Sequence, residues 1–146
     1  MLKQLTVFLE NKPGRMAEVT GSLADENINL HALSIADTTD FGILRMIVSH
    51  PDRAKKILKE NGCMVKTADV FAVAMGHIPG SLHKVLRELE LLNISIEYMY
   101  AFTSRHKRYD AVVIFRTDDQ EETAQKLENS SISVLDQELL EHLNEV

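Results

Sequence analysis

Two short stretches carry residues whose types and spacing could do chemistry: Asn11-Lys12-Pro13-Gly14-Arg15 and, later in the chain, His77-Ile78-Pro79-Gly80-Ser81. Each stands where a run alternating with the period of a strand gives way to one spaced as a helix. The first N–H groups of a helix have no partner inside it. With the positive end of the helix dipole they make a landing place for an anion. Gly14, lacking Cβ, lets a ligand approach the backbone, and Pro13 stiffens the turn. The implied chemistry is recognition of a carboxylate by backbone amides. Asn11 and Asn29, at the end of the first strand and the start of the second, add carboxamides that both donate and accept, as an ammonium nearby requires. An amino acid offers both groups. Pro-Gly at a strand-to-helix turn is also an ordinary folding device, and Asn an ordinary turn residue; residue chemistry by itself leaves both readings open.

Other chemistry finds little support. The six histidines, at 31, 50, 77, 83, 106 and 142, show no metal-ligand spacing except His77 with His83, and the turn separates that couple. There is no nucleophile elbow, HExxH or Gly-rich phosphate loop, so neither a catalytic residue nor a cofactor is expected. Cys63 is alone, which precludes an internal disulfide and points to a reducing compartment. The net charge of −6 argues against a nucleic-acid partner, whose binding needs Lys and Arg to displace counterions. Arg105-His106-Lys107-Arg108 reads as a solvated hairpin tip. Tyr98, Tyr100 and Phe102 form one aromatic row, read as packing rather than a base-stacking platform. No run of roughly 18 apolar residues exists, and Glu10 breaks the N-terminal one without a cleavage signal, so a cytoplasmic protein without a membrane partner is expected.

The elements that must position these residues occur twice. Shifting the sequence by 66 residues lays Val7 on Val73, Pro13-Gly14 on Pro79-Gly80, Val19 on Val85, Leu23 on Leu89 and Asn27-Ile28 on Asn93-Ile94 without a gap. In the first copy Leu5, Val7 and Leu9 alternate as in a strand, then Met16, Val19, Thr20 and Leu23 recur at helical spacing. Runs from Asn29 to Thr38 and Gly42 to Ser49 flank the turn Thr39-Asp40-Phe41-Gly42 and read as a hairpin. Pro51 opens a second helix, Asn61-Gly62 closes it, and Met64 to Ala68 is a last strand. The second copy repeats the series. It has a strand at 70–75 and a helix with Leu82, Val85, Leu86, Leu89 and Leu92 on its buried stripe. Strands near 94–104 and 109–116 follow, then a helix for which Thr117 and Gln120 form a capping box, then a strand near Ile132 to Leu135. Asp136 can cap a final short helix whose Leu139, Leu140 and Leu143 need a surface.

With 45% apolar and 26% charged residues the chain can build a core, necessarily an aliphatic one because Trp is absent. Each βαββαβ copy predicts a ferredoxin-like arrangement, a four-stranded antiparallel sheet with two helices on one face. The fold class is therefore α+β, two ferredoxin-like repeats packed together, residues 1–68 and 69–146. No Gly/Ser/Pro linker separates them.

Residues 9 to 35, LENKPGRMAEVTGSLADENINLHALSI, resemble the opening of an ACT domain, a small-molecule-sensing module of amino-acid biosynthetic enzymes. The family pattern is a strand, Asn-x-Pro-Gly, an aliphatic residue two places on, spaced apolar helix positions, and Asn-Ile or Val-Asn entering the second strand. In members that bind amino acids, Asn residues two places before the Pro and at the start of the second strand hold the ligand. These fall on Asn11 and Asn29. The resemblance implies a non-catalytic regulatory protein that binds a small amino acid at an interface between domains and signals occupancy through domain or subunit packing. Its principal site would comprise Asn11, Pro13, Gly14, Arg15 and Asn29, the amides of Gly14 and Arg15 taking the carboxylate. A homodimer is expected; the alternative is a regulatory subunit docking on an enzyme of amino-acid metabolism. In the second copy His77 and Ser95 replace the two asparagines, so a second site at His77, Gly80 and Ser95 would be degenerate or take another ligand.

Overall fold

Alternation at the N-terminus produces β1 (Leu2–Glu10), where Leu5, Val7 and Leu9 are buried on one side. The computed structural model describes residues 1–37, 40–104 and 110–142. The basic cluster at 105–108, residues 38 and 39 of the first hairpin, and Leu143 lie outside the described residues. The chain divides into two compact units, one of Lys3–Ala68, the other of Met1–Leu2 with Asp69–Val146.

The first unit contains β1, α1 (Arg15–Asp25), β2 (Leu30–Asp37), β3 (Phe41–Val48), α2 (Pro51–Glu60) and residues 64–68 of β4 (Met64–Met75). Its strand order is β2-β3-β1-β4. The antiparallel register sets Leu5 opposite Met46 and Val7 opposite Leu44. These side chains meet Val19 and Leu23 of α1 and Ala54 and Leu58 of α2 in one aliphatic core. Each buried leucine there contributes about 1.5–3 kcal/mol. Period 2 then sends Thr6, Phe8 and Glu10 to the opposite face, alongside Ile43 and Phe41.

The second unit holds residues 69–75 of β4, α3 (Ser81–Leu91), β5 (Ile96–Thr103), β6 (Ala111–Thr117), α4 (Gln120–Glu128), β7 (Val134–Leu135) and α5 (Gln137–His142). Here β6 lies between β5 and β4, and β7 pairs with the other side of β4, repeating the order of the first unit. Phe71 and Phe115 stack at 5.6 Å in a core with Val73, Leu89 and Val113, so this core is partly aromatic where the composition predicts an aliphatic one. Both units are thus ferredoxin-like.

The duplication extends to individual hydrogen bonds. Gly14 and Gly80 precede their helices with φ of 84° and 91°, and Asn27 and Asn93 follow them with φ of 57° and 55°. Ile28 N–H donates to the Leu23 carbonyl as Ile94 N–H does to that of Leu89, both at 3.0 Å. These left-handed positions admit Gly and Asn at low cost and terminate each helix.

Several boundaries differ from expectation. Residues 64–68 and 70–75, read as two strands, form one, because Thr67-Ala68-Asp69 stays extended. Asp119, not Thr117, caps α4: its carboxylate accepts from Glu122 N–H at 2.9 Å, while Thr117 is buried with its hydroxyl on Thr123. Asp136 caps α5 as expected, accepting from Leu139 N–H at 2.8 Å; Leu140 is buried and Leu139 exposed. Leu82, assigned to the buried stripe of α3, is exposed, and Leu89 alone on that helix is fully buried.

Candidate ligand-binding site at the first strand-to-helix turn

The chain leaves β1 at Glu10 and reaches α1 through a turn whose last residue, Gly14, is left-handed (φ 84°, ψ −10°). Lys12 N–H donates to the Glu10 carbonyl at 2.9 Å, Arg15 N–H to that of Lys12 at 3.2 Å, and Glu18 N–H to that of Gly14 at 3.0 Å. This corrects the expectation that the Arg15 amide is open, since the turn itself uses it. Among the described residues the first-turn amides left without an intramolecular acceptor are those of Met16 and Ala17. They carry the anion-binding capacity of this helix start.

Side chains surround the corner with charge. Lys12 Nζ lies 2.6 Å from Glu10 Oε2. That hydrogen bond and charge, with a smaller contribution from Arg15, hold the Glu10 carboxyl below its ordinary range. Arg15 Nη1 donates to Glu18 Oε2 at 2.9 Å, and Nη2 lies 3.7 Å from Cys63 Sγ; Glu18 first, then the thiol, stabilise the guanidinium further. Asn11 Nδ2 donates to Asp37 Oδ1 at 2.9 Å. Asn11 Oδ1 and Ile35 Cδ1 lie 3.4 and 3.2 Å from where a Cβ on Gly42 would stand, so a side chain at 42 would crowd this link.

Asn29 is elsewhere. It precedes β2, its N–H donating to Ser49 Oγ and its carbonyl accepting from Ser49 N–H, both at 3.0 Å. Eight residues of strand separate it from Asp37, roughly 26 Å at about 3.3 Å per residue. Asn11, Gly14 and Arg15 therefore share one end of the unit, with Pro13 in the turn, and Asn29 sits at the other. Within one unit the two asparagines do not flank the same helix end.

The corner opens onto a cavity of about 400 Å³ lined by Phe8, Glu10, Arg15, Phe41, Gly62 and Met64. Phe41 and Met64 are 51% and 65% exposed, and Lys66 Nζ stands 5.7 Å from the centroid of Phe8. Of these residues the sequence singles out only Arg15 for binding. Phe8 does carry a signal: an aromatic residue in the solvent-side phase of an alternating strand.

The second unit reproduces the backbone but not the side chains. Ser81 N–H donates to the Ile78 carbonyl at 3.2 Å and Lys84 N–H to that of Gly80 at 3.0 Å, as in the first turn. Gly76, Ile78 and Ser81 stand where Glu10, Lys12 and Arg15 stand in the first copy. His77 lines a cavity of about 370 Å³ walled by Met75, Ile78, Leu82 and Phe102. Ser95 lines a different one of about 310 Å³ with Leu86 and Asn93. His77 and Ser95 are thus not brought together either. Among the described residues no group of three His, Cys, Asp or Glu side chains could hold a metal ion, and no helix is long and apolar enough to cross a membrane.

Similarity to known proteins follows this architecture. The chain is 45% identical to protein BT0572 from Bacteroides thetaiotaomicron, whose crystal structure superposes with a TM-score of 0.85 over 95% of this chain and 94% of that one. The regulatory subunit of aspartate kinase from Thermus thermophilus, in its ligand-free form, has the same fold at 16% identity, with a TM-score of 0.60 over 86% of this chain and 90% of that one. Its counterpart from Thermus flavus gives 0.56 at 15% identity, over the same shares of each chain. No curated protein matches the chain. The model of the ACT domain pair matches residues 1–143, and the chain therefore belongs to the ACT domain-pair family.

Proposed function

We propose that this protein is a non-catalytic regulator that binds a small amino acid at the β1–α1 corner of its first unit. The observation that carries the reading is the open pair of amides at Met16 and Ala17, held by left-handed Gly14 beside the Asn11–Asp37 link. The amides suit the ligand's carboxylate, and the carboxylate of Asp37 with the carbonyl of Asn11 suits its ammonium.

The far position of Asn29 supports a site shared between copies. The outermost strand of the first unit's sheet is β2, and Leu33 and Ile35 on it are about half exposed. An edge of that kind is a template for another strand. Antiparallel pairing of two copies along β2 about a two-fold axis would lay Asn29 of one against the Asn11–Asp37 corner of the other. Occupancy then alters subunit packing, provided the ligand binds one arrangement more tightly than the other.

A thermal-shift screen of the twenty amino acids tests this. A ligand at about 100 times its Kd adds roughly 2.7 kcal/mol, a shift of several degrees for a chain of this size. Asn11→Ala and Asn29→Ala should each weaken the response. A response unchanged in the double variant removes the site assignment, and a monomer by sedimentation with ligand bound removes the shared site.

A second reading is favoured by the exposed Leu33 and Ile35: the chain docks on an enzyme of amino-acid metabolism, as regulatory subunits do. Stoichiometric co-purification of one such enzyme, lost in Ile35→Asp, would support it over a free-standing sensor.

A further inference from the structure

The cavity beside the corner has a composition that the amide site does not explain. Its polar ends are one anion, Glu10, and one cation, Arg15, and its walls are Phe8, Phe41 and Met64. Glu10 and Arg15 both line it, so they face the same space. The ion pairs they now make, with Lys12 and Glu18, are on the surface and contribute little, so exchange for a ligand's charges is inexpensive. About 400 Å³ is near the lower end of ligand pockets, which suits a single small metabolite. The carboxylates of Glu10 and Glu18 disfavour a phosphate-bearing ligand, and a wholly apolar one would strip water from two charges without replacing it.

The second unit serves as an internal control. At the positions equivalent to Phe8, Glu10 and Arg15 it carries Ala74, Gly76 and Ser81 on the same backbone. The first-strand aromatic residue and both charges are replaced there together, as expected if the three serve one ligand.

We infer that the first-unit cavity admits a large apolar side chain of the α-amino acid held at the corner, lodged against Phe8, Phe41 and Met64, with Glu10 joining Asp37 as a partner of the ammonium and Arg15 joining the amides as a partner of the carboxylate, at one ligand per chain. This rests on the reading of the corner as an amino-acid site and adds the class of side chain it admits.

Isothermal titration of the full chain with L-phenylalanine, L-methionine and L-leucine, against L-alanine, L-serine and L-aspartate, tests the inference. Expected are at least tenfold tighter binding of the first three, a stoichiometry near one, and weaker binding of 3-phenylpropionate and phenethylamine, each of which lacks one charged end. Phe41→Ala with Met64→Ala changes two half-exposed side chains and should remove most of the preference while leaving the weak binding of alanine. Glu10→Gln should weaken phenylalanine about tenfold and leave 3-phenylpropionate unmoved. Preference for a small or polar amino acid that is still lost in Asn11→Ala would overturn this inference and spare the corner as the site. So would a preference for large side chains that survives Phe41→Ala/Met64→Ala. Absence of binding by every amino acid would overturn both readings.

Discussion

Replacing Gly14 by alanine isolates the backbone cost of the corner. A Cβ built at Gly14 meets nothing within 4 Å, so packing neither opposes nor favours it. What remains is the left-handed conformation at φ 84°. For a residue with Cβ that costs about 1–2 kcal/mol; the loss of freedom in the unfolded chain, worth about 0.4–1 kcal/mol, offsets part of it. The net expectation is a loss near 1 kcal/mol, or about 4–8 °C in Tm for a unit of this size. Gly21, in the middle of α1, is the control: its φ lies outside the left-handed range and a Cβ there also meets nothing within 4 Å. Gly21→Ala should therefore raise stability by about 0.5–1 kcal/mol through helix propensity. The same change in one short helix thus has opposite signs, read by urea denaturation followed by circular dichroism. Gly14→Ala as stable as the parent, or Gly21→Ala less stable, would refute the assignment of the turn's strain to Gly14.

Leu23 is fully buried in the first core, and Leu23→Ala should cost about 2–5 kcal/mol by chemical denaturation; a loss below about 1 kcal/mol would mean that α1 does not pack as described. Because Lys12 holds the Glu10 carboxyl below its ordinary range, the ionised pair is complete above the usual glutamate value of about 4.3 and is lost as pH falls through the lowered one. An NMR titration should place the Glu10 midpoint below about 4.3, and Lys12→Ala should raise it; a parent midpoint at or above that value contradicts the pair. Both side chains are largely exposed, so Lys12→Ala should leave the unfolding midpoint unchanged.

Most of the fold was legible because conformational demands recur at fixed spacing. A residue with positive φ must be Gly or, less often, Asn, so Pro-Gly and Asn-Ile at an interval of 66 residues marked the starts and stops of two equivalent helices before any strand was paired. The core followed from periods of 2 and 3.6. The site was less legible because proximity along the chain misled. Asn11 ends a strand and Asn29 precedes one, but between them α1 carries the chain about 16 Å back along the sheet, so the two belong to opposite ends. The pocket walls were hidden for another reason: Glu10 faces Phe41 only through the register of β1 on β3, which alternation alone does not specify.

The repeated turn also separates folding from binding. The left-handed glycine, the amide-to-carbonyl bond that closes the turn and the bond that starts the helix occur in both units with nearly the same geometry. At the second corner Gly76, Ile78 and Ser81 replace the charged Glu10, Lys12 and Arg15. A device present with and without the charged residues is first a way of entering a helix, which accounts for Pro-Gly in both places without any ligand. On the proposed reading, the side chains that distinguish the first corner, Glu10, Arg15 and the aromatic wall, then set the selectivity for what the open amides hold. Gly14→Ala and Gly80→Ala should accordingly cost similar stability, while only the former weakens amino-acid binding. Equal loss of affinity from both would mean that open amides suffice and that the charged side chains are incidental.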